Sequence, residues 1–280
     1  MTASRVILTA DDFGLSPQVN EAVERAHRDG VLTAASLMVG ERAVPEAVAI
    51  ARRNPCLAIG LHLTLTDGTP TLPPGHIPAL VQRNGRFRDD MAGLGLTLAT
   101  SAAARAELRA EIAAQFRAFR ATGLACDHVN AHRHFHLHPV IAAAAFAAAR
   151  AAGVRATRIP WEPPALVRAV EPGARTAPRA LAPFALLLRR LAARQGLAAA
   201  DRVVGLAWSG GFTADRLAAL LPLLPPGRTE IYLHPATAGG FPGGAPGYRY
   251  PEELAALLDP RVRQAAARLT TGGYAAMLAA

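Results

Sequence analysis

The stretch Arg5-Val6-Ile7-Leu8-Thr9-Ala10-Asp11-Asp12-Phe13-Gly14 runs from an apolar, strand-like segment straight into two adjacent carboxylates. An open doubly wound sheet normally follows its first strand with a glycine-rich turn that cradles phosphate. An acidic turn is unsuited to phosphate, so this opening argues for a different closure of the sheet. Outward from it, short apolar runs alternate with longer segments of helical period. Candidate strands are Arg5–Ala10, Ala35–Gly40, Leu57–Leu65, Cys126–His134, Arg155–Ile159, Val203–Trp208 and Glu230–His234. Candidate helices are Pro17–Asp29, Glu41–Asn54, Ala102–Thr122, Pro139–Ala152, Pro178–Gln195, Thr213–Leu221 and Pro251–Leu269. Ser16-Pro17 reads as an N-cap followed by proline at the first helical position, and Gly30, Gly123 and Gly153 stand where helices should stop. About seven β-then-α units predict a parallel sheet, most easily closed as a single-domain α/β barrel.

Two segments exceed an ordinary connection. Residues 66–100, rich in Gly and Pro, are too long for a βα loop and are expected to form a lid or specificity loop. Ala238–Pro251, after the last strand, is expected to form a second wall.

The bulk composition narrows the class. A 280-residue chain with 51% hydrophobic residues and 18% charged residues is globular. No apolar run is long enough to span a bilayer. The first twelve residues lack the apolar core and cleavage site of a signal peptide. Cys56 and Cys126 form no C-x-x-C pair and imply no disulfide framework. These features lead to an expected cytoplasmic location, with a peripheral place on the inner membrane as a variant. The net charge of +9 comes entirely from Arg, because the chain contains no Lys. In so Ala-, Gly- and Pro-rich a sequence this reads as a codon-biased, solvated surface, so no nucleic-acid partner is expected. Self-association as a homodimer is left open.

The chemistry gathers where the candidate strands end. Asp11-Asp12, His62, the histidines from 128 to 138, Arg158 and His234 each close a different strand. In a β/α barrel those ends converge on one mouth. Of the two carboxylates, one can hold a cation while its neighbour takes a proton from metal-bound water. His62 alone, on an apolar strand, reads more readily as a core histidine. His128-Val-Asn130-Ala-His132-Arg-His134-Phe-His136-Leu-His138 is the strong signal. Read as a strand, it puts His132, His134 and His136 on one face, about 6–7 Å apart. Two of them would rarely share one ion, so one ligand is expected from the row and the others near substrate. An aspartate and two histidines leave positions open for water and substrate, and His234 is placed to donate a proton to a leaving amine.

Taken together, Thr9-Ala10-Asp11-Asp12-Phe13-Gly14-Leu15-Ser16, Ala58-Ile59-Gly60-Leu61-His62, the His128–His136 stretch and His234-Pro235 resemble the YdjC-like family of carbohydrate deacetylases. The resemblance implies a distorted (β/α) barrel and one divalent ion, zinc or magnesium. By it Asp12, His62 and His132 are the ligands, Asp11 the general base and His234 the group beside the leaving amine. Where the family's chito-oligosaccharide deacetylases read His-x-Asp-Ser-His-His-His, this chain has His128-Val129-Asn130-Ala131-His132-Arg133-His134. An acid is thereby replaced by Asn130, which disfavours a chitobiose-like substrate. That variant stretch, Arg158-Ile-Pro-Trp-Glu162-Pro and Gly205-Leu-Ala-Trp208-Ser-Gly resemble the hopanoid-biosynthesis-associated deacetylases. They imply an N-acetylglucosaminyl hopanoid as substrate, with His134, His136, Arg158, Glu162 and Trp208 around it. Arg158 is also the expected partner that keeps Asp11 ionised, because a nearby guanidinium favours the carboxylate. Pro178–Gln195 adds an apolar row (Leu181, Phe184, Leu187, Leu188, Leu191) beside Arg179, Arg189, Arg190 and Arg194, suited to an anionic membrane surface or, more plainly, to packing on the barrel.

Two other classes compete. The commonest two-metal amidohydrolases bridge their ions with a carboxylated lysine, and this chain has no lysine. A sugar- or lipid-binding protein with a purely structural metal would be expected to supply four protein ligands rather than three.

Overall fold

In a computed structural model, which describes residues 4–278, the chain forms a curled sheet of parallel strands wrapped by helices. The strands are β1 (Ser4–Phe13), β2 (Ala34–Leu37), β3 (Ala58–Leu63), β4 (Val129–Ala131), β5 (Arg202–Val204), β6 (Gly227–Leu233) and the short β7 (Thr270–Thr271). They follow the order β4-β3-β2-β1-β6-β5, with β7 beside the first half of β1. All pairings are parallel, as the alternating pattern predicts. The expected strand Arg155–Ile159 makes no ladder of its own. Instead residues 155–161 bridge the open side: Arg158 N donates to Val129 O, Thr157 N donates to Ala198 O, and Val203 N donates to Trp161 O. The result is a distorted single-domain (β/α) barrel.

The helices are α1 (Pro17–Arg28), α2 (Val44–Arg53), α3 (Met91–Thr100), α4 (Ala102–Ala121), α5 (Pro139–Ala151), α6 (Pro164–Val170), α7 (Ala182–Arg194), α8 (Ala214–Leu220), α9 (Tyr250–Leu258), α10 (Pro260–Ala266) and α11 (Tyr274–Leu278). Ser16 caps α1 through its hydroxyl on Val19 N, with Pro17 in the first turn. The expected helix Pro251–Leu269 is broken at Asp259-Pro260, because Pro260 removes a donor and Asp259 caps the new start. Residues 66–100 fold as a packed excursion: Ile77, Leu80, Phe87, Leu94 and Leu98 join the main core. The buried Glu111 on α4 receives Thr71 N and Leu72 N at 2.9 Å and so ties this excursion to the barrel wall. α3 hides in the sequence behind Gly93 and Gly95, which weaken its helical signal.

Strand alternation sorts the side chains. Val6, Leu8 and Ala10 of β1, Ile59, Leu61 and Leu63 of β3, and Ile231 and Leu233 of β6 all lie in the apolar layer shared with the helices. The opposite phase turns inward: Ile7, Thr9 and Asp11; Ser36; His62; His128 and Asn130; Arg158; Glu230, Tyr232 and His234. Such barrels usually fill the interior with branched apolar side chains. Here it is mostly polar. Gly60 belongs to the same phase, and a Cβ there would fall 2.4 Å from the His128 ring, so only glycine leaves room for that imidazole.

The His132–Leu137 segment corrects one expectation. It does not continue β4 but coils into a tight 3-10 turn, with Arg133 and His134 in the left-handed region at φ 52° and 53°. His132, His134 and His136 therefore do not share a strand face. A left-handed pair of non-glycine residues costs of order 1–3 kcal/mol each and persists only where the surroundings impose it.

Candidate metal centre

Asp11 and Asp12 are consecutive in β1, so regular alternation would send them to opposite faces. Two irregularities prevent that. The register of β1 against β2 shifts between Ala10 and Phe13, and Asp12 takes a left-handed φ of 62°. Both carboxylates consequently reach the mouth, and both are buried.

Asp12 lies between two imidazoles: its Oδ1 is 3.2 Å from His62 Nε2 and 3.0 Å from His132 Nδ1. One donor atom from each of the three residues lies within 4.8 Å of the others. Ligands bound at about 2.0–2.1 Å stand about 2.9–3.3 Å apart around one ion, so the two Asp12–histidine spacings fit a shared cation. The hydrogen bonds around His62 reinforce the fit. Asn130 Nδ2 donates to Asp11 Oδ1 at 3.1 Å and to Ser36 Oγ at 2.9 Å, which orients the amide. Asn130 Oδ1 must then accept from His62 Nδ1, 2.6 Å away. The neutral ring therefore turns a bare Nε2 lone pair toward the Asp12 carboxylate. Two acceptors at that distance require a positive charge between them, and a divalent ion or a proton supplies it. Consistently, burial would lower the His62 pKa, but Asp11 and Asp12 outweigh it and raise it.

Asp11 is held differently. Arg158, fully enclosed, donates from Nη1 to Asp11 Oδ2 at 2.5 Å and from Nη2 to Oδ1 at 3.0 Å. Burial opposes ionisation of Asp11, but the Arg158 guanidinium and His62 hold its carboxyl well below the usual range. For Asp12 burial is likewise outweighed, by His132 and His62. The other side of Arg158 is clamped by Glu230, through Nε at 3.0 Å and Nη2 at 2.6 Å.

The remaining candidates divide. His234 presents a buried Nδ1 with no hydrogen-bond partner among the described residues, 4.0 Å from Glu253 Oε2, and its backbone N donates to that same oxygen. His134 Nε2 meets Tyr232 Oη at 2.9 Å, and burial together with Arg158 pushes its pKa well below the ordinary value. His136 Nε2 meets Arg158 O at 3.0 Å. Asp11, Asp12, His62, His132, His134 and His234 thus gather at one mouth. Three expected substrate contacts are engaged by protein groups, and for Arg158 the partner is the expected one, Asp11. Arg158 is 0% exposed and reaches Asp11 rather than solvent. Glu162 is buried and spends its carboxylate on Gly205 N, Leu206 N and Ala207 N. Trp208 is buried and donates Nε1 to Glu171. The last two shape the turn after β5.

Sequence reading missed Glu230, Tyr232 and Glu253. The first two carried a signal: Glu230-Ile231-Tyr232-Leu233-His234 alternates, which puts Glu230 and Tyr232 on the face of His234.

The mouth of this parallel α/β barrel joins three residues that could hold a cation to a separately held carboxylate. The chain belongs to the YdjC-like protein family, whose model matches residues 5–268. It is 31% identical over 258 residues to a carbohydrate deacetylase of Geobacillus stearothermophilus, an alignment covering 91% of this chain and 89% of that one. A carbohydrate deacetylase of Brevibacillus brevis is 39% identical over 137 residues, where the match spans 49% of this chain and about half, 52%, of that protein. A crystal structure from Enterococcus faecalis V583, described as a cellobiose-phosphate cleavage protein, superposes with a TM-score of 0.78. It covers 98% of this chain and 99% of that one at 23% identity, a likeness of fold.

Proposed function

We propose that the chain is a metal-dependent N-deacetylase that removes acetyl from an N-acetylglucosaminyl lipid, with an N-acetylglucosaminyl hopanoid as the substrate. The observation that carries the reading is the pairing at one mouth of the Asp12/His62/His132 donor set with Asp11, a carboxylate kept ionised by Arg158. A zinc or magnesium ion held there would polarise the acetyl carbonyl and acidify an attacking water. Asp11 is placed to accept that water's proton, and Asn130 keeps Asp11 and His62 in register. His234, whose Nδ1 makes no hydrogen bond among the described residues, is the donor to the leaving amine. Tyr232 and His134 line the same mouth for the sugar. The relatives named as carbohydrate deacetylases support the amide-cleaving reaction.

The lipid part rests on the hopanoid-type motifs and on α7. No helix among the described residues is long and apolar enough to cross a membrane. α7, however, exposes Phe184, Leu186 and Leu187, with Trp161 exposed as well. Arg190 and Arg194 are exposed on the same helix, which packs against the histidine turn. Apolar side chains flanked by arginines suit an anionic membrane surface. Leu188 is buried and belongs to the core, which corrects its place in the apolar row; the side chain of Arg179 lies outside the described residues.

Mass spectrometry of purified enzyme with an N-acetylglucosaminyl hopanoid tests the reading. Loss of one acetyl group is expected. Faster turnover of soluble chito-oligosaccharides than of the lipid would overturn the lipid substrate and leave the deacetylase.

A further inference from the structure

The barrel floor is closed by α11, at the opposite end of the barrel from the metal centre. Tyr274 and Met277 pack there with Ile7, Ala34 and Ala156, in a small cluster separate from the main core. Alanine at the starts of β2 and β3 and at position 156 leaves room for the Tyr274 ring, which is fully buried and stacks on His128 with centroids 4.7 Å apart. The ring does more than fill space. Its hydroxyl donates to Glu230 Oε2, and Glu230 clamps Arg158, whose other edge grips Asp11. Tyr274, Glu230, Arg158 and Asp11 thus form one buried column from floor to mouth.

A second route leaves the same helix. Asp127 receives Tyr274 N at 2.9 Å and Ala275 N at 2.8 Å, and its Oδ2 lies 3.1 Å from His128 Nδ1. His128 Nε2 meets Ser36 Oγ at 3.0 Å, and Ser36 receives Asn130, which holds Asp11 and His62. The two routes close a ring whose far side is the metal centre.

We propose that Tyr274 is a positioning residue for the reaction, fixing the Asp11 carboxylate at the mouth through Glu230 and Arg158. The proposal rests on the deacetylase reading. Glu230 has no route to solvent and no other donor besides Arg158 and Tyr274 among the described hydrogen bonds. Without the tyrosine hydroxyl it can rotate, and Arg158 follows it. A base displaced by even about 1 Å loses up to about a hundredfold in rate.

The test compares Tyr274→Phe, which keeps the ring and its packing, with Met277→Ala, which damages packing in the same helix only. Both are assayed as metal-loaded full-length protein on the N-acetylglucosaminyl lipid. Tyr274→Phe should lower kcat by about ten- to a hundredfold with KM within about twofold and metal content unchanged. Met277→Ala should lower thermal stability and leave kcat alone. In combination with Glu230→Gln, Tyr274→Phe should add nothing further, because both break one route. Wild-type kcat in Tyr274→Phe, or a loss matched by lost metal or by Met277→Ala, would overturn the proposal. A crystal structure of Tyr274→Phe decides the matter independently of activity. A displaced Arg158–Asp11 pair supports the proposal, and a superimposable pair refutes it. A wild-type enzyme inert on every N-acetyl sugar would sink the deacetylase reading, and that structure would still decide the role of Tyr274.

Discussion

Arg158 grips both oxygens of Asp11 and both oxygens of Glu230 at once, from a position with no exposure to solvent. Only a planar guanidinium can serve two carboxylates in this way; a lysine ammonium is a point charge with no fork. Arg158→Lys should therefore keep the charge and lose the geometry. Burial raises the Asp11 pKa and Arg158 is what lowers it, so weakening that contact moves the pKa upward. The base must be ionised to accept a proton, so the acid limb of kcat/KM should shift to higher pH, with turnover down by about tenfold or more. An unchanged limb in a pH–rate profile would mean that Asp11 is not the titrating base.

Much of this site was legible in the sequence because barrel topology makes strand ends converge. That rule gathers Asp11-Asp12, His62, the histidine row and His234 as a group, while the choice of Asp12, His62 and His132 as ligands came from the family resemblance. What the sequence could not reveal depends on local backbone irregularity. The left-handed φ of Asp12 brings two consecutive carboxylates to one mouth, and no propensity announces it. The same holds at Arg133 and His134, where a run that alternates like a strand coils into a turn. The pairing of Arg158 with Asp11 was legible, but its full burial was not, because that is set by Glu230, 72 residues away. The partners of Glu162 and Trp208, the 205–207 amides and Glu171, were hidden for a related reason: they are distant in sequence.

The α7 surface separates membrane contact from core packing. Replacing Phe184 and Leu187 by Ser removes exposed apolar area and should cost the fold less than about 0.5 kcal/mol. It should weaken sedimentation with anionic liposomes and slow lipid deacetylation, with metal content intact. Leu188→Ser should instead destabilise by about 2–5 kcal/mol, because Leu188 is buried. Undiminished liposome binding by the Phe184/Leu187 double variant would remove α7 from the membrane-contact account.

Acid should unfold the metal-free protein in two stages. Burial pushes His136 down to about 4, against about 6.5 for the unfolded side chain. The unfolded state thus binds the extra proton between those values. The stability contributed is complete above about pH 6.5 and falls by roughly 3 kcal/mol as pH drops to about 4. Asp11 and Asp12, held low in the fold, add a second loss below about pH 4, where their unfolded carboxyls take protons. Urea unfolding midpoints in chelator from pH 7.5 to 4 should decline through the first window, and His136→Gln should make that decline shallower, the rest coming from the buried His134. A flat wild-type profile would show that the buried imidazole takes up its proton in the fold as readily as in the unfolded chain.

Metal content of purified variants tests the central claim most directly. The wild type and His134→Ala should each carry about one equivalent of zinc or a similar ion by elemental analysis. Asp12→Ala, His62→Ala and His132→Ala should each lose it while keeping a native circular-dichroism spectrum, since all three donors sit at the mouth rather than in the apolar core. A His132→Ala protein that retains its metal, beside a His134→Ala protein that does not, would contradict the assignment.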